Sequence, residues 1–560
     1  MLIFKKMKMK KTQIKLLSIT AFFLILFNLS CTTDLNQVPE GSNEQTDEEL
    51  FSNPNSYKQF LAKLYAGLAT TGQAGPAGAA DISGIDEGFS QYLRGYWQMQ
   101  ELTTDEAIIA WDDQTIKDFH NHSWTSLDVF INATFNRLSF QINACNEFLR
   151  QTTDAKLDGR GVSGPLRDEI KNFRAEARFL RAYSYWNLVD LFGGAAIETE
   201  DSSTEYHVPT YASRAEIFTF VETELTNLVA DLKAPNSNEK YRVDKAAAWM
   251  LHAKLLMNAQ VYVGTDRYAD AKILINKVLT EATYSTHSSY EQLFFADNDS
   301  NGAQNEFIFS IAFDGINTKT YGGTTYLTHA PVGGSMSAAS FGINGGWAGI
   351  RTTSAFVNKF PGAGNDARGN FYTAGQNLEI ASVGTFTDGY AIQKFRNVDI
   401  NGNQGSDATG DFVDIDFPVF RLADAYLMFA ECELRTGGSV SQATVDNIND
   451  LRVRAYGDTS GNVSAGQINL SFILDERARE LNNMADAAER LGRAQAGEFA
   501  GLPSQTVSRP AVTSVPMFGQ NELSNFQAAG APVTQVFVQI GEEELDSIVV
   551  NSAQRTEDKS

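Results

Sequence analysis

Apolar residues recur at helical spacing through most of this chain. The broadest stretch, 173–194 (FRAEARFLRAYSYWNLVDLFGG), carries two adjoining stripes. One holds Phe173, Ala177 and Leu180; the other holds Phe179, Ala182, Trp186 and Val189. Small Ala175, Ala177 and Ala182 let partner helices approach, and Gly193 and Gly194 end the helix. Arg174, Arg178 and Arg181 fall along the expected rim, with Glu176 and Asp190 as partners. So broad an apolar surface must be covered on more than one side, which predicts a central helix in a helical array.

The same spacing predicts helices over 54–68, 126–150, 167–191, 216–232, 243–263 and 266–279. Within the last two, KAAAWMLHAKLLMNAQVY and then RYADAKILINKVL read as a tetratricopeptide-type hairpin, with Tyr268, Ala271 and Leu274 on its second helix. No strict 34-residue period runs through the chain, so such repeats would be degenerate. From about 284 to 416 the periodicity fades, and Gly, Asn, Thr, Ser and aromatic residues dominate. A short apolar run at 306–313 reads there as a strand. Helices return from Phe417. Phe420, Ala423, Leu427, Ala430 and Leu434 make one stripe, and Thr444, Ile448, Leu451 and Ala455 the next. Leu470, Leu474, Ala478 and Leu481 make a third, with Asp475 and Arg479 spaced to pair. The expected fold class is mainly α, a tetratricopeptide-like helical-hairpin scaffold with a long loop-rich insertion.

Composition narrows the picture. With 560 residues, 43% hydrophobic and 11% aromatic, the chain is globular and long enough for a large core. The first 31 residues hold six lysines and no acid; the remainder has 39 basic against 68 acidic residues. That balance argues against a nucleic-acid partner, whose phosphates demand a basic face. Lys5 to Lys15 form a basic region, followed by an apolar run at 16–29, too short to span a bilayer but suited to a signal peptide. Ser30 and Cys31 follow, where a lipoprotein signal is cut before cysteine, so Cys31 is the expected lipidation site. Residues 1–30 are then a signal, 31–49 a polar tether, 50–283 and 417–490 the helical scaffold, 284–416 the insertion and 491–560 a divergent C-terminal segment. Cys145 and Cys432 fall in predicted helices and read as small buried hydrophobes. His120 and His122 have no further His or Cys nearby and read as hydrogen-bonded structural histidines.

The strings ELTTDEA, AEARFLRAYSYWNLVDLFGG and then, in the family's usual order, FPVFRLADAYLMFAECELRTGG, INDLRVRAYG and ILDERARELNN resemble the SusD/RagB family. The resemblance covers most of residues 31–482 and decays after Asn482. It implies an outer-membrane lipoprotein that binds nutrients, usually glycans, and hands them to a SusC-like TonB-dependent transporter. The outer membrane, through the lipid anchor, an oligosaccharide and that transporter are the implied partners.

Sugar rings offer apolar C–H faces and a polar rim, which proteins hold by stacking aromatics and hydrogen-bonding the hydroxyls. Aromatics in glycine-rich or polar loops are therefore the candidates. These are Trp111 with Asp112 and Gln114, Tyr321 with Tyr326, and Trp347 with Asn344 and Arg351. The DNDSNG stretch resembles the start of a calcium loop, with Asp297 and Asp299 at alternate positions, although the twelfth position is Ile308 rather than Glu. Asp414 and Asp416 are the best donors from elsewhere. Some family members hold a structural calcium, while the plainer reading of DNDSNG is an Asx-type turn. No GxSxG elbow, HExxH or P-loop is present. A binding protein is thus expected rather than an enzyme; a peptide-binding repeat scaffold and a glycoside hydrolase are the other two classes. The leader yields a direct expectation: a fatty-acid analogue fed to the cells should label the protein, and Cys31→Ala should abolish the label.

Overall fold

The computed structural model describes residues 47–490, apart from 73–74, 77–79, 205–206, 361–364 and 488. Cys31, the leader, most of the tether and residues 491–560 lie outside the described residues. The architecture is the expected one, helices packed around a central helix with an irregular insertion. Helices α1 (Asn55–Ala69), α2 (Tyr92–Glu101), α3 (Val129–Gln151), α4 (Gly164–Leu191), α5 (Arg214–Leu228), α6 (Lys245–Met257) and α7 (Tyr268–Glu281) precede the insertion. Within the insertion lies α8 (Gly323–His329), and α9 (Leu422–Gly437), α10 (Gln442–Tyr456) and α11 (Leu470–Glu480) follow it.

Helix α4 is central, as its two stripes require. Phe179, Leu180, Ala182 and Val189 are fully buried, with α3 against one side and α5 against another. Gly193, in the left-handed region at φ 74°, follows its end. Its arginines, however, are not a solvated rim. Arg181 is buried and donates to Glu224 (2.8 Å) and Asn146 (2.7 Å), and Arg178 also reaches Glu224 (2.7 Å). Glu176 instead receives Arg242 (3.0 Å) and the Tyr65 hydroxyl (2.6 Å), and Asp190 receives Tyr262 and Gln100, both at 2.7 Å. Charges on an all-round buried helix must find partners on its neighbours. The expected hairpin is present as α6 packed on α7, except that Asn258 breaks the first helix and Ala259–Val263 forms a separate turn.

The strand read at 306–313 is β2 (Phe307–Ile311), antiparallel to β4 (Phe417–Arg421). Residues 417–421 are thus a strand and not the first turn of α9. Pro418, which has no N–H to give, pairs Ser310 beside shifts in register. The other pair that matters here joins β1 (Ala107–Ile109) antiparallel to β3 (Ile350–Thr352).

The insertion is tied to the last helices by a buried ionic lattice. Glu306, just before β2, meets Arg421 (2.8 Å) and Arg454 (2.6 Å). Glu480 meets Arg421 (3.0 Å), Arg454 (2.5 Å) and Arg368 (3.3 Å), and Glu476 meets Arg368 (2.9 Å), Arg452 (2.7 Å) and Arg479 (2.6 Å). The expected pair of Asp475 with Arg479 is not made: Asp475 takes Lys359 (2.7 Å) from the insertion. Beyond α11, the chain turns back into the core. Asp486 and Glu489 approach Lys254 at 3.4 and 3.3 Å, and Arg490 meets Glu106 at 2.7 Å. Cys145 and Cys432 are buried and not joined in a disulfide, and burial pushes the Cys145 thiol up to about 12.

Burial alone would raise the Glu476 carboxyl, but Arg368, Arg479 and Arg452 overcome it and hold it down to about 2. A carboxyl depressed by folding stabilises above its ordinary value of 4.5, and that stability is lost as pH falls through its folded value. Glu476→Gln should therefore cost about 3–5 kcal/mol at neutral pH, because it leaves buried guanidinium groups short of charge. The gap between wild type and variant should narrow from about pH 4.5 toward 2, as read by denaturant titration across pH. A constant gap would show that the charge of Glu476 contributes nothing.

Candidate functional site

Pairing of β1 with β3 brings two distant loops together. The loop after β1 begins with Ala110, whose N–H donates to the Gly349 carbonyl at 2.9 Å, and the next residue is Trp111. The indole Nε1–H of Trp111 donates to the Trp347 carbonyl at 2.9 Å. A Cβ on Gly346 would lie 2.0 Å from the Val332 carbonyl oxygen, so only glycine lets the 344–349 loop lie so close to the end of α8. From that end His329 stacks under Trp347, with centroids 4.9 Å apart and planes at 23°. The His329 Nδ1 lies 2.7 Å from the Gly345 carbonyl, and burial lowers its ring pKa against the pull of the nearby carbonyls.

Tyr321, just before α8, completes the row. Its ring centroid lies 6.4 Å from that of Trp347, which in turn lies 6.5 Å from Trp111. Tyr321 is 41% exposed and the two tryptophans are half-buried. Phe412 backs Tyr321 at 5.2 Å, and Asn344 donates its side-chain amide to Asp411 at the edge of the row. Behind it, the buried Arg94 guanidinium lies 5.9 Å from the Trp111 ring and 4.7 Å from Tyr326.

The candidate residues sort cleanly. Trp111, Tyr321, Trp347 and Asn344 are brought together. Tyr326 is not available for contact: its ring is fully buried, edge-on to Trp97 and Trp111, with Gln98 on its hydroxyl. Arg351 is also wholly buried and caps the carbonyls of Val383, Thr385 and Asp388; burial lowers its guanidinium to about 10. As the central residue of β3, one step from the core residue Ile350, it braces the loop beneath and does not reach the row. Asp112 and Gln114 are exposed and engaged locally, with Lys117 and Asp118 respectively. His329, Phe412 and Asp411 escaped sequence reasoning. Phe412 stands in the stretch read only for its aspartates, and a lone His carries no pattern.

The four aspartates considered for calcium are each engaged by protein groups, the Tyr241 hydroxyl on Asp299 among them. Asp297 accepts from Asn301 (3.1 Å) and the Ile400 N–H (3.2 Å), Asp299 pairs with Lys240 (3.0 Å), and Asp414 accepts from the Gly315 N–H (2.7 Å) and Ser406. Asp416 is buried and accepts from the Phe313 N–H (3.0 Å); burial raises it to about 7. Among the described residues no group of three His, Cys, Asp or Glu stands ready to hold a metal ion. Within DNDSNG, Asn301 forms an Asx-type turn by accepting from the Ala303 N–H at 2.9 Å. His120, by contrast, is structural as read: its Nε2 accepts from the Ile109 N–H at 3.1 Å.

The helical scaffold thus carries a row of three rings, two on the insertion and one on the loop after β1. Comparison with known proteins gives the kinship. The SusD family model matches residues 365–483. The starch-binding protein SusD of Bacteroides thetaiotaomicron is 34% identical over 498 residues, covering 80% of this chain and 85% of that protein. SusD-like protein P25 of Formosa agariphila is 26% identical over 349 residues, covering 55% of this chain and 60% of that protein. The crystal structure of a SusD superfamily protein from Parabacteroides distasonis matches with a TM-score of 0.63 at 21% identity, covering 85% and 97%. The chain belongs to the SusD family. No helix among the described residues is long and apolar enough to cross a membrane.

The row separates exposed from load-carrying rings. Trp111→Ala should lower stability by about 3–5 kcal/mol, since its ring packs on Tyr326 and its Nε1–H is engaged. Tyr321→Ala should stay within about 1 kcal/mol of wild type in chemical denaturation. Equal losses would mean that Tyr321 is core.

Proposed function

We propose that this protein is a cell-surface glycan-binding lipoprotein. It holds an oligosaccharide on the Trp111–Trp347–Tyr321 row and delivers it to a SusC-like TonB-dependent transporter in the outer membrane. The observation that carries the glycan reading is the row itself: three rings in consecutive contact, one of them substantially exposed, with an amide and a carboxylate at the edge. Ring faces supply the apolar contact that sugar C–H faces need, and Asn344 and Asp411 are placed for hydroxyls. A starch-binding relative at 34% identity supports the ligand class. Two solved structures of like fold, surface glycan-binding protein A from Bacteroides uniformis and a laminarin-binding SusD-like protein, agree with it. The Cys31 anchor and the transporter follow from the leader sequence and from family membership.

Calorimetric titration with starch-type and β-glucan oligosaccharides, together with product analysis, tests this reading. Trp347→Ala and Tyr321→Ala should each weaken binding by about 1–3 kcal/mol, the scale of burying one large side chain. The oligosaccharide should be recovered uncleaved. Release of shorter sugars, or affinity unchanged in both variants, would overturn it.

A further inference from the structure

A second hollow shares no lining residue with the ring row, although Thr318 of its wall stands three residues before Tyr321. Its volume is about 600 Å³, within the roughly 300–1,000 Å³ of small-ligand sites. One wall is a stripe of α1. Asn55, Gln59, Ala62 and Ala66 fall on one helical face, and the two alanines leave the space that larger side chains would fill. The opposite wall is the end of β2. Four consecutive residues, 309–312, line it, as expected where a strand presents its backbone edge and not one face. Among the described residues β2 pairs only with β4, so its other edge has no partner strand.

A strap borders the hollow, which stays partly open to solvent. Asn236 (φ 58°) and Tyr241 (φ 67°) both hold left-handed backbone, a strained arrangement fixed at each side. Glu239 pairs with Lys58 of α1 at 2.9 Å, Lys240 with Asp299 at 3.0 Å, and Arg242 with Glu176 at 3.0 Å. Beyond the strap is a smaller hollow of about 340 Å³, and Glu239 to Arg242, Phe309 and Ser310 line both.

We propose that the larger hollow is a second ligand site that takes a short neutral saccharide of about disaccharide size. Three features select that class. Lys58 is matched by Glu239 within the walls, and Lys240 and Arg242 by Asp299 and Glu176 behind them, so each wall charge is already engaged. Side-chain amides and an open strand edge offer both donors and acceptors, which suits hydroxyl groups that are each both. The strap crosses β2 between the two hollows, so an extended peptide cannot lie along the edge as an added strand; a compact ligand fits one chamber.

The test uses the double variant Tyr321→Ala/Trp347→Ala, which disables the row. Maltose, cellobiose and laminaribiose are titrated into it by calorimetry and saturation-transfer NMR. At least one should still bind, and adding Ala66→Trp should weaken that binding tenfold or more by filling the chamber. Gln59→Ala in the same background removes an amide without adding bulk and should weaken binding severalfold, which decides the matter if the Trp variant does not fold. Loss of all disaccharide binding in the double variant, or binding that neither chamber variant alters, overturns the proposal. So does binding of N-acetyl-trialanine amide with no binding of any sugar. The row fails separately: it is refuted if the double variant keeps the wild-type affinity for long oligosaccharides that the chamber cannot hold.

Discussion

Everything the insertion does depends on the buried lattice of Glu306, Glu476 and Glu480 with five arginines. A loop-rich segment has little periodic apolar surface with which to pin itself to a helical scaffold. Here carboxylates and guanidinium groups add to the buried insertion residues such as Phe309, Leu327 and Phe341, crossing from β4, α10 and α11 to Arg368 and to the start of β2. Such pairs are sound only when complete, because each lone partner would be a buried charge. The lattice lies largely in residues 365–483, the part of the chain that matches the family model.

From that anchor the geometry of the ring row follows in steps. The lattice holds β2 against β4, and α8 follows in the chain. The end of α8 carries His329, on which Trp347 rests. Independently, β3 takes β1 as its partner and so sets Trp111 against Trp347. Three loops that are far apart in sequence converge because two strand pairs and one short helix leave them no other position.

The scaffold was legible in the sequence because burial on a helix repeats with the backbone, and long periodic stretches such as 173–194 admit one reading. FPVFR was misread because a strand of five residues running straight into a helix extends the helical stripe by chance. The fate of charges was not legible. Arg178 and Arg181 carry rim spacing, yet their shared partner Glu224 comes from another helix, and Arg479 takes Glu476 three residues back in place of Asp475. In the site, Trp111, Tyr321 and Trp347 stood out because aromatics among glycines and polar residues have little local core to join. Tyr326 and Arg351 shared that neighbourhood but lie on regular elements, where alternation or helical turn directs them inward.

The stacking of Trp347 on His329 has a consequence for selectivity. One face of the indole is already covered, its carbonyl holds Trp111, and its loop cannot retreat past Val332. The platform is therefore nearly rigid, and little of the conformational cost of association falls on the protein. It falls on the ligand. A polymer whose resting curvature matches the row gives up little freedom on docking, whereas a straighter or more flexible chain of the same sugar must first be bent. On the proposed reading of the row as the glycan platform, discrimination then rests on linkage geometry more than on the identity of the monosaccharide.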